Sequence, residues 1–285
     1  MQELVVISGK GGTGKTSLAA SLAVLAQRSV IADCDVDAAD LHLVLAPDIK
    51  QRHQFDSGRL ASIVPDRCNG CGLCQAHCRF GAVSEVNGKY HISPEACEGC
   101  GVCVRVCPTG AVDFPERHCG QWMVSETRCG PMVHARLGVA AENSGKLVSI
   151  VRDQARLLAQ EAGRPLIITD GPPGIGCPVI ASLTGASQAL VVTEPTVLGE
   201  HDLMRVLSLA GHFGVPAAVC VNKWDLNMEM TERIEEKARQ AGARGVGRIR
   251  YDGAVTLAQI QARAVVETNA SCVEDIKHIW CQLGL

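Results

Sequence analysis

The chain has 285 residues, a net charge of −3, 3% aromatic residues and 15 cysteines. A nucleic-acid surface needs basic patches and stacking rings, so this charge and this aromatic content argue against a nucleic-acid partner. No apolar stretch reaches the length of a membrane span, and the first residues lack the cationic segment of an export signal. The many cysteines indicate a reducing compartment and metal chemistry, and we expect a cytoplasmic location.

A phosphate-binding loop follows the first predicted strand. The apolar run 4–7 predicts a buried strand, GKGGTGKT occupies 9–16, and 17–27 has the pattern of an amphipathic helix. In this context glycine N–H groups bind phosphate oxygens, Lys15 bridges the β- and γ-phosphates, and Thr16 holds Mg²⁺. The residues predicted to bind the nucleotide here are Gly9, Gly11, Gly12, Thr13, Gly14, Lys15, Thr16 and Ser17.

Aspartates end two further predicted strands. The strand at 29–32 leads into Asp35 and Asp37, and the strand at 165–169 leads into Asp170 and a Gly-Pro-Pro-Gly sequence. Ligands of doubly wound sheets bind beyond the carboxyl ends of the strands, so these carboxylates are placed to hold Mg²⁺ or the attacking water. Asp170 has the position of a Walker B aspartate, and the loop after it has the composition of a switch. An aspartate that only caps a turn is the structural alternative.

Eight cysteines form two copies of one pattern. The copies are Cys68-x₂-Cys71-x₂-Cys74-x₃-Cys78 and Cys97-x₂-Cys100-x₂-Cys103-x₃-Cys107-Pro108. Each copy resembles the run of bacterial two-cluster ferredoxins, whose fourth cysteine binds the other cluster. The resemblance implies two 4Fe-4S clusters, the first held by Cys68, Cys71, Cys74 and Cys107, and the second held by Cys97, Cys100, Cys103 and Cys78.

Zinc and disulfide bonds are the alternatives for these cysteines. Structural zinc needs four ligands with longer loops between ligand pairs, and closely spaced thiols repeated twice fit that requirement poorly. A disulfide framework is typical of short secreted chains. The first run departs from the ferredoxin pattern at Arg79, which stands where a proline is usual, so we expect the potential of its cluster to differ.

The strand predicted at 217–221 leads into a segment that bears on base recognition. Asn222, Lys223 and Asp225 match the NKxD pattern with which GTPases bind guanine. GTP therefore stays open as an alternative nucleotide on this motif alone.

Lys10, directly after the first glycine of the loop, makes GKGGTGKT a deviant Walker A motif. With it the chain resembles the class of P-loop ATPases that contains MinD, ParA and the nitrogenase iron protein. The resemblance implies that Lys10 reaches the nucleotide of a partner subunit in an ATP-loaded dimer. It also implies that Asp37 orients the attacking water and that Asn222 binds adenine, which favours ATP over GTP. The predicted catalytic residues are Lys10, Lys15, Asp37 and Asp170.

Nearly the whole chain resembles members of this class that contain an inserted ferredoxin domain. The segments 130–137, 170–180 and 249–252 carry this likeness together with the loop and the cysteine runs. It implies a doubly wound, mostly parallel α/β sheet with an α+β two-cluster ferredoxin insert. The implied domains are 1–62 and 117–285 for the ATPase and 63–116 for the insert. Cys177 lies where the nitrogenase iron protein has a cysteine ligand to a subunit-bridging cluster, so an extra metal site is a further hypothesis.

Three functions are compatible with these motifs. In the first two, nucleotide binding switches a homodimer, or a heterodimer with a close relative. The first couples this switching to electron transfer to a redox partner protein, and the second couples it to metal-cluster assembly on a partner protein. A third function is a MinD-like positioning or regulatory switch in which the clusters are structural or sense redox state. Two intact ligand sets are typical of permanent electron carriers, so we rank the first two functions above the third.

Overall fold

Most strands of the structure belong to one large sheet. The computed structural model describes residues 1–138 and 144–285. Its strands are β1 Gln2–Ser8, β2 Ser29–Asp33, β3 Asp48–Arg59, β4 Ser62–Ile63, β5 Val83–Val86, β6 Lys89–Ile92, β7 Val112–Asp113, β8 Glu116–Thr127, β9 Gly130–Leu137, β10 Leu166–Pro173, β11 Gln188–Thr193, β12 Ala217–Asn222 and β13 Arg244–Ile249. Within the described ranges, nine of them form a sheet in the order β13-β12-β11-β1-β10-β2-β9-β8-β3. Each pair of neighbours from β13 to β9 is parallel.

The described part of the chain also contains α-helices, most of which lie between strands of the large sheet. They are α1 Lys15–Ala26, α2 Leu41–Leu45, α3 Leu73–Ala76, α4 Val102–Val106, α5 Ser144–Glu161, α6 Cys177–Leu183, α7 Val197–His212, α8 Met228–Gln240, α9 Ala254–Ile260 and α10 Val273–Leu283. Short 3₁₀ turns occur at Pro65–Arg67, Trp224–Leu226 and Val265–Glu267. The predicted strands at 4–7, 29–32, 165–169 and 217–221 are confirmed, and so is the mostly parallel α/β fold.

The central parallel strands β1, β2, β10 and β11 are buried on both faces, which explains their apolar runs. Along β1, Leu4 and Val6 pack in one hydrophobic cluster with α1, α2 and α10. Val5 and Ile7 pack in a second cluster with α6, α7 and α8. Because successive side chains of a strand point to opposite faces, one apolar strand contributes to both clusters. This arrangement places the loop after β1 at the carboxyl edge of the sheet.

The chain divides into two units. The first, which we call the nucleotide unit, contains Met1–His53, Gln121–Leu137 and the chain from 144 onward. The second, the cysteine unit, contains Gln54–Gly120 and Gly138. In the cysteine unit, β4 pairs with β7 and β5 pairs with β6, both antiparallel. The short helices α3 and α4 carry cysteines of the first and second run.

Candidate functional site

A row of polar side chains crosses the carboxyl edge of the sheet in the nucleotide unit. The parallel register pairs Val6 of β1 with Asp170 of β10, and Asp170 with Asp33 of β2. Asp33 is in turn paired with His134 of β9. Because parallel strands end together, this register brings two aspartates to the edge where the phosphate-binding loop begins.

Lys15 lies at the centre of the site. Its Nζ donates to Asp35 Oδ2 at 3.0 Å and to Asp170 Oδ1 at 3.2 Å, and the residue is only 5% exposed. Burial acts to lower the pKa of Lys15, but the charges of Asp170 and Asp35 outweigh it and leave the pKa above its ordinary value. The lysine is therefore held as a cation where a phosphate group is expected.

Two buried carboxylate oxygens at this site have no donor within the described ranges. Among the described residues, neither Asp33 Oδ2 nor Asp170 Oδ2 has a hydrogen-bond partner. Burial raises the pKa of both aspartates, most strongly for Asp33, and the Thr16 side chain makes a hydrogen bond with Asp170. Buried polar atoms are ordinarily satisfied, so these oxygens are suited to the water shell of a Mg²⁺ ion. The predicted site residues did not include Asp33, although its place as the last residue of a buried strand was a usable signal.

The loop itself has the backbone of a phosphate cradle. Gly12 and Gly14 have φ values of +80° and +85°, a region that favours glycine. Asn222 Nδ2 donates to the carbonyl oxygen of Thr13 at 2.8 Å, and its Oδ1 accepts from the N–H of Lys223 at 3.0 Å. A Cβ on Gly14 would lie 2.4 Å from Asn222 Nδ2. Asn222, predicted as an adenine ligand, thus braces the loop through its Nδ2, while its Oδ1 accepts from the residue that follows it.

Lys10 contacts its own chain in this structure. Its Nζ lies 3.0 Å from Glu194 Oε2, and the other oxygen of Glu194 accepts from Lys223. Burial opposes ionisation of Glu194, but its bonds with Lys223 and Lys10 outweigh that effect and lower its pKa. The residue expected to reach a partner subunit is therefore held by an ion pair beside its own loop.

Among the described contacts, the hydrogen-bond partners of Lys15 are Asp35 and Asp170, not Asp37 or Asp225. Asp37 is exposed for the most part. Partial burial of its carboxyl group, followed by the charge of Asp35, raises its pKa. Asp225 Oδ1 accepts from the N–H of Tyr251 at 2.7 Å. Asp225 therefore fixes the start of the segment after β13 through one of its two carboxylate oxygens.

The cysteine unit contains two cavities, and four cysteines line each of them. Their volumes are about 300 Å³ and about 350 Å³, and each volume includes the space at the opening to solvent. The smaller, which we call cavity one, is lined by Cys68, Cys71, Cys74 and Cys107. The larger, cavity two, is lined by Cys78, Cys97, Cys100 and Cys103. Each cavity thus combines three cysteines of one run with the fourth of the other.

Backbone geometry lets the chain wrap around these cavities. Gly72 and Gly101 both have a φ of +73° and begin α3 and α4. Cys107 Sγ accepts from the N–H of Ala111 at 3.2 Å and lies 3.6 Å from Thr109 Oγ1. Burial acts to raise the pKa of Cys107, but these hydrogen bonds leave it lowered. Among the described residues, no group of three or more His, Cys, Asp and Glu side chains is arranged to hold a metal ion.

The other cysteines include several buried thiols. Burial raises the pKa of Cys34 and Cys129, and that of Cys272 to about 11, which favours the neutral thiol. Cys177 is exposed and begins α6, where its Cβ would be 3.3 Å from a Cβ on Gly145.

Known proteins match the chain over most of its length. A family model described as the CobQ/CobB/MinD/ParA nucleotide binding domain matches residues 4–265. The uncharacterized protein MJ0578 of Methanocaldococcus jannaschii is 35% identical over 232 residues, which are 80% of each chain. Among the described helices, none has the length and apolar character needed to cross a membrane.

Solved structures share the fold. The MinD protein of Pyrococcus horikoshii complexed with Mg-ADP aligns with a TM-score of 0.58 at 15% identity, covering 99% of this chain and 95% of that one. The ATP complex of a McdA variant from Cyanothece aligns with a TM-score of 0.59 at 16% identity, covering 100% and 97%. The match over residues 4–265 shows that the chain belongs to the CobQ/CobB/MinD/ParA family of nucleotide-binding domains.

Proposed function

We propose that this protein is an ATP-hydrolysing electron carrier with two 4Fe-4S clusters, in which the nucleotide state of one unit governs electron transfer by the other to a redox partner protein. The observation that carries the proposal is the sorting of eight cysteines into two cavities, each with three thiols of one run and one of the other. The phosphate-binding loop in the same chain supports coupling to ATP.

The nucleotide unit supplies charge and position for phosphoanhydride hydrolysis. Lys15 neutralises the β- and γ-phosphates, and Thr16 with the free oxygens of Asp33 and Asp170 holds Mg²⁺ and its waters. The Mg-ADP bound by the Pyrococcus horikoshii relative supports this assignment. ATP is favoured over GTP because Lys10 makes the loop a deviant Walker A motif and because the Cyanothece McdA variant, which shares the fold, binds ATP.

Asp35 is better placed than Asp37 to orient the attacking water. It is 8% exposed and lies 3.0 Å from Lys15 Nζ, whereas Asp37 is exposed. When Lys15 turns to the phosphates, Asp35 loses a charged partner and becomes available to a water molecule. We therefore assign to Asp35 the role first expected of Asp37.

The donor sets suit clusters better than single ions. A single zinc ion draws its thiolates to about 2.3 Å from one point. A 4Fe-4S cluster places each thiolate on a different iron, so the four sulfurs stay apart around a cavity. The described residues hold no single-ion arrangement, yet four thiols line each cavity. When bound, the clusters supply reversible one-electron storage.

The crossing of the ligand sets favours a permanent carrier over a cluster-assembly scaffold. Cys107 closes cavity one although it belongs to the second run, and Cys78 closes cavity two although it belongs to the first. Release of either cluster would therefore disturb both runs. A scaffold that delivers clusters to another protein would need the opposite property.

Lys10 connects the nucleotide to dimer formation. Its ion pair with Glu194 is partly exposed, with 30% of the lysine side chain accessible. Such a pair is worth about 1 kcal/mol or less, so a partner's phosphates can replace it. The variant Lys10→Ala is expected to bind ATP and remain monomeric in analytical ultracentrifugation, whereas the parent protein dimerises with ATP. Normal dimerisation of the variant would refute this role.

Anaerobic purification tests the cluster assignment. We expect brown protein with iron and sulfide for two four-iron clusters per chain, and paramagnetic resonance signals after dithionite reduction that change when ATP is added. Colourless, folded protein without iron would refute the proposal. Transfer of iron and sulfide to an apo-acceptor in response to ATP would instead support cluster assembly.

A MinD-like positioning switch is the second candidate, and the shared fold with MinD and McdA supports it. In that case the clusters would be structural or redox-sensing. Turnover of ATP that depends on a binding surface or partner, with resonance signals unaffected by ATP, would favour this function over electron transfer.

A further inference from the structure

The two cysteine runs correspond position by position, and at two of the positions where they differ both residues line the cavities. Asn69 follows Cys68, and the equivalent residue after Cys97 is Glu98. Thr109 comes two residues after Cys107, and the equivalent residue after Cys78 is Phe80. Asn69 and Thr109 line cavity one, whereas Glu98 and Phe80 line cavity two. One cavity therefore has neutral polar groups where the other has a carboxylate and a ring.

Cavity one provides hydrogen bonds to a ligand sulfur. The N–H of Ala111 donates to Cys107 Sγ at 3.2 Å, and Thr109 Oγ1 lies 3.6 Å from the same sulfur. A thiolate bound to iron has no proton, so in this pair the hydroxyl is the donor. Hydrogen bonds to sulfur stabilise the additional negative charge of a reduced cluster.

Among its described lining residues, cavity two has no hydroxyl group. Phe80 and Val102 give it an apolar wall, and Glu98 adds a carboxylate. An apolar wall solvates added negative charge poorly, and a carboxylate repels it. Arg79, beside Cys78, and Glu98 are both exposed, but only Glu98 forms part of the cavity wall, so we attribute the charge effect at this cavity to Glu98.

We propose that the two cavities hold clusters of unequal reduction potential, the one in cavity one being higher, and that Thr109 and the pair Phe80 and Glu98 set this difference. The inference rests on the proposed function, since it requires both clusters. Its consequence is that a single electron resides in cavity one, while the reduced cluster of cavity two is the stronger reductant toward a partner.

A redox titration of the holoprotein, followed by paramagnetic resonance, tests the inference. We expect two one-electron steps. Thr109→Val keeps the shape of the side chain but removes the hydroxyl. It should lower only the higher of the two reduction potentials, by about 59 mV, which is a tenfold change in the ratio of reduced to oxidised cluster. Thr109→Ser keeps the hydroxyl and should leave both potentials unchanged.

Exchanges in cavity two provide the complementary test. Glu98→Gln and Phe80→Thr should each raise only the lower potential and narrow the gap, whereas Arg79→Pro should change it less than either. If Thr109→Val alters the lower step, or if no variant moves either potential, the inference is wrong while the clusters remain. If the parent protein shows no reducible cluster, the proposed function itself fails.

Discussion

The two units reach their structures by different means. The nucleotide unit buries long apolar strands and helices in two hydrophobic clusters. The described part of the cysteine unit buries few large apolar side chains, among them Phe55, Val83 and Val112. A unit of this size buries only about 60% of its unfolded surface. We infer that the nucleotide unit is held by its own core, whereas the cysteine unit depends on the clusters that we propose for it.

Removal of iron is expected to produce the largest difference between the two units. Metal-binding energy is folding energy where a small domain has little core, so an anaerobic chelator should unfold the cysteine unit. Limited proteolysis with mass spectrometry is expected to show cleavage within 54–120 while the segments of the nucleotide unit stay intact. Nucleotide binding, measured by calorimetry, should persist. Equal resistance of both units after complete iron loss would contradict the inference.

Loss of the central cation should affect the nucleotide unit alone. Lys15→Ala leaves the buried carboxylates of Asp35 and Asp170 without their charged partner, which costs about 3–5 kcal/mol of unfolding free energy. ATP turnover should be abolished, while iron content stays that of the parent protein. Lys50→Ala, which removes the exposed pair with Asp48, is the matched control and should leave both properties unchanged.

The two aspartates after β2 should differ in their importance for turnover. Asp35→Asn is expected to lower the rate of ATP hydrolysis about 100-fold, the typical contribution of a positioned acid–base group. Asp37→Asn should leave the rate near that of the parent protein because this residue is exposed. A steady-state phosphate-release assay measures both. If Asp37→Asn lowers the rate of hydrolysis more than Asp35→Asn does, then Asp37 orients the attacking water.

The smallest expected effect is a pH dependence of the nucleotide unit. His134 bonds to Ser125 Oγ at 2.8 Å, and burial, aided by His42 and Arg52, lowers its pKa to about 4. Between pH 6.5 and pH 4 the unfolded chain binds a proton that the folded chain does not. Stability therefore falls as the pH falls through this window, by up to about 1.4 kcal/mol per pH unit.

Urea unfolding followed by tryptophan fluorescence measures this slope, since Trp122, Trp224 and Trp280 all lie in the nucleotide unit. His134→Gln should flatten the pH dependence of the unfolding free energy. His278→Gln, at an exposed position, is the control and should keep the parent slope. Identical slopes for the parent protein and both variants would show that His134 does not contribute.

Short-range patterns could be predicted from the sequence, and long-range contacts could not. The apolar runs, the glycine-rich loop and the cysteine spacing are local, and the strands and the α/β fold follow from them. The pairing of Lys10 with Glu194 joins positions far apart in the chain, as does the bond from Asn222 to Thr13. Such contacts depend on strand order, which local patterns do not determine.

The aspartates illustrate the same limit at shorter range. Asp33, Asp35 and Asp37 alternate in sequence, so their spacing does not distinguish between them. What separates them is that β2 ends at Asp33 and that Lys15 lies beside Asp35. Both facts belong to the folded chain.

The brace that Asn222 forms on the phosphate-binding loop has a kinetic consequence. The Thr13 carbonyl oxygen accepts from the Asn222 amide, and this hydrogen bond fixes the orientation of that peptide group in the folded chain. The entropy of ordering the loop is thus lost during folding and not during ligand capture. The nucleotide should accordingly associate without a slow rearrangement of the loop. The rate at which ATP replaces ADP should then be set by the dissociation of ADP.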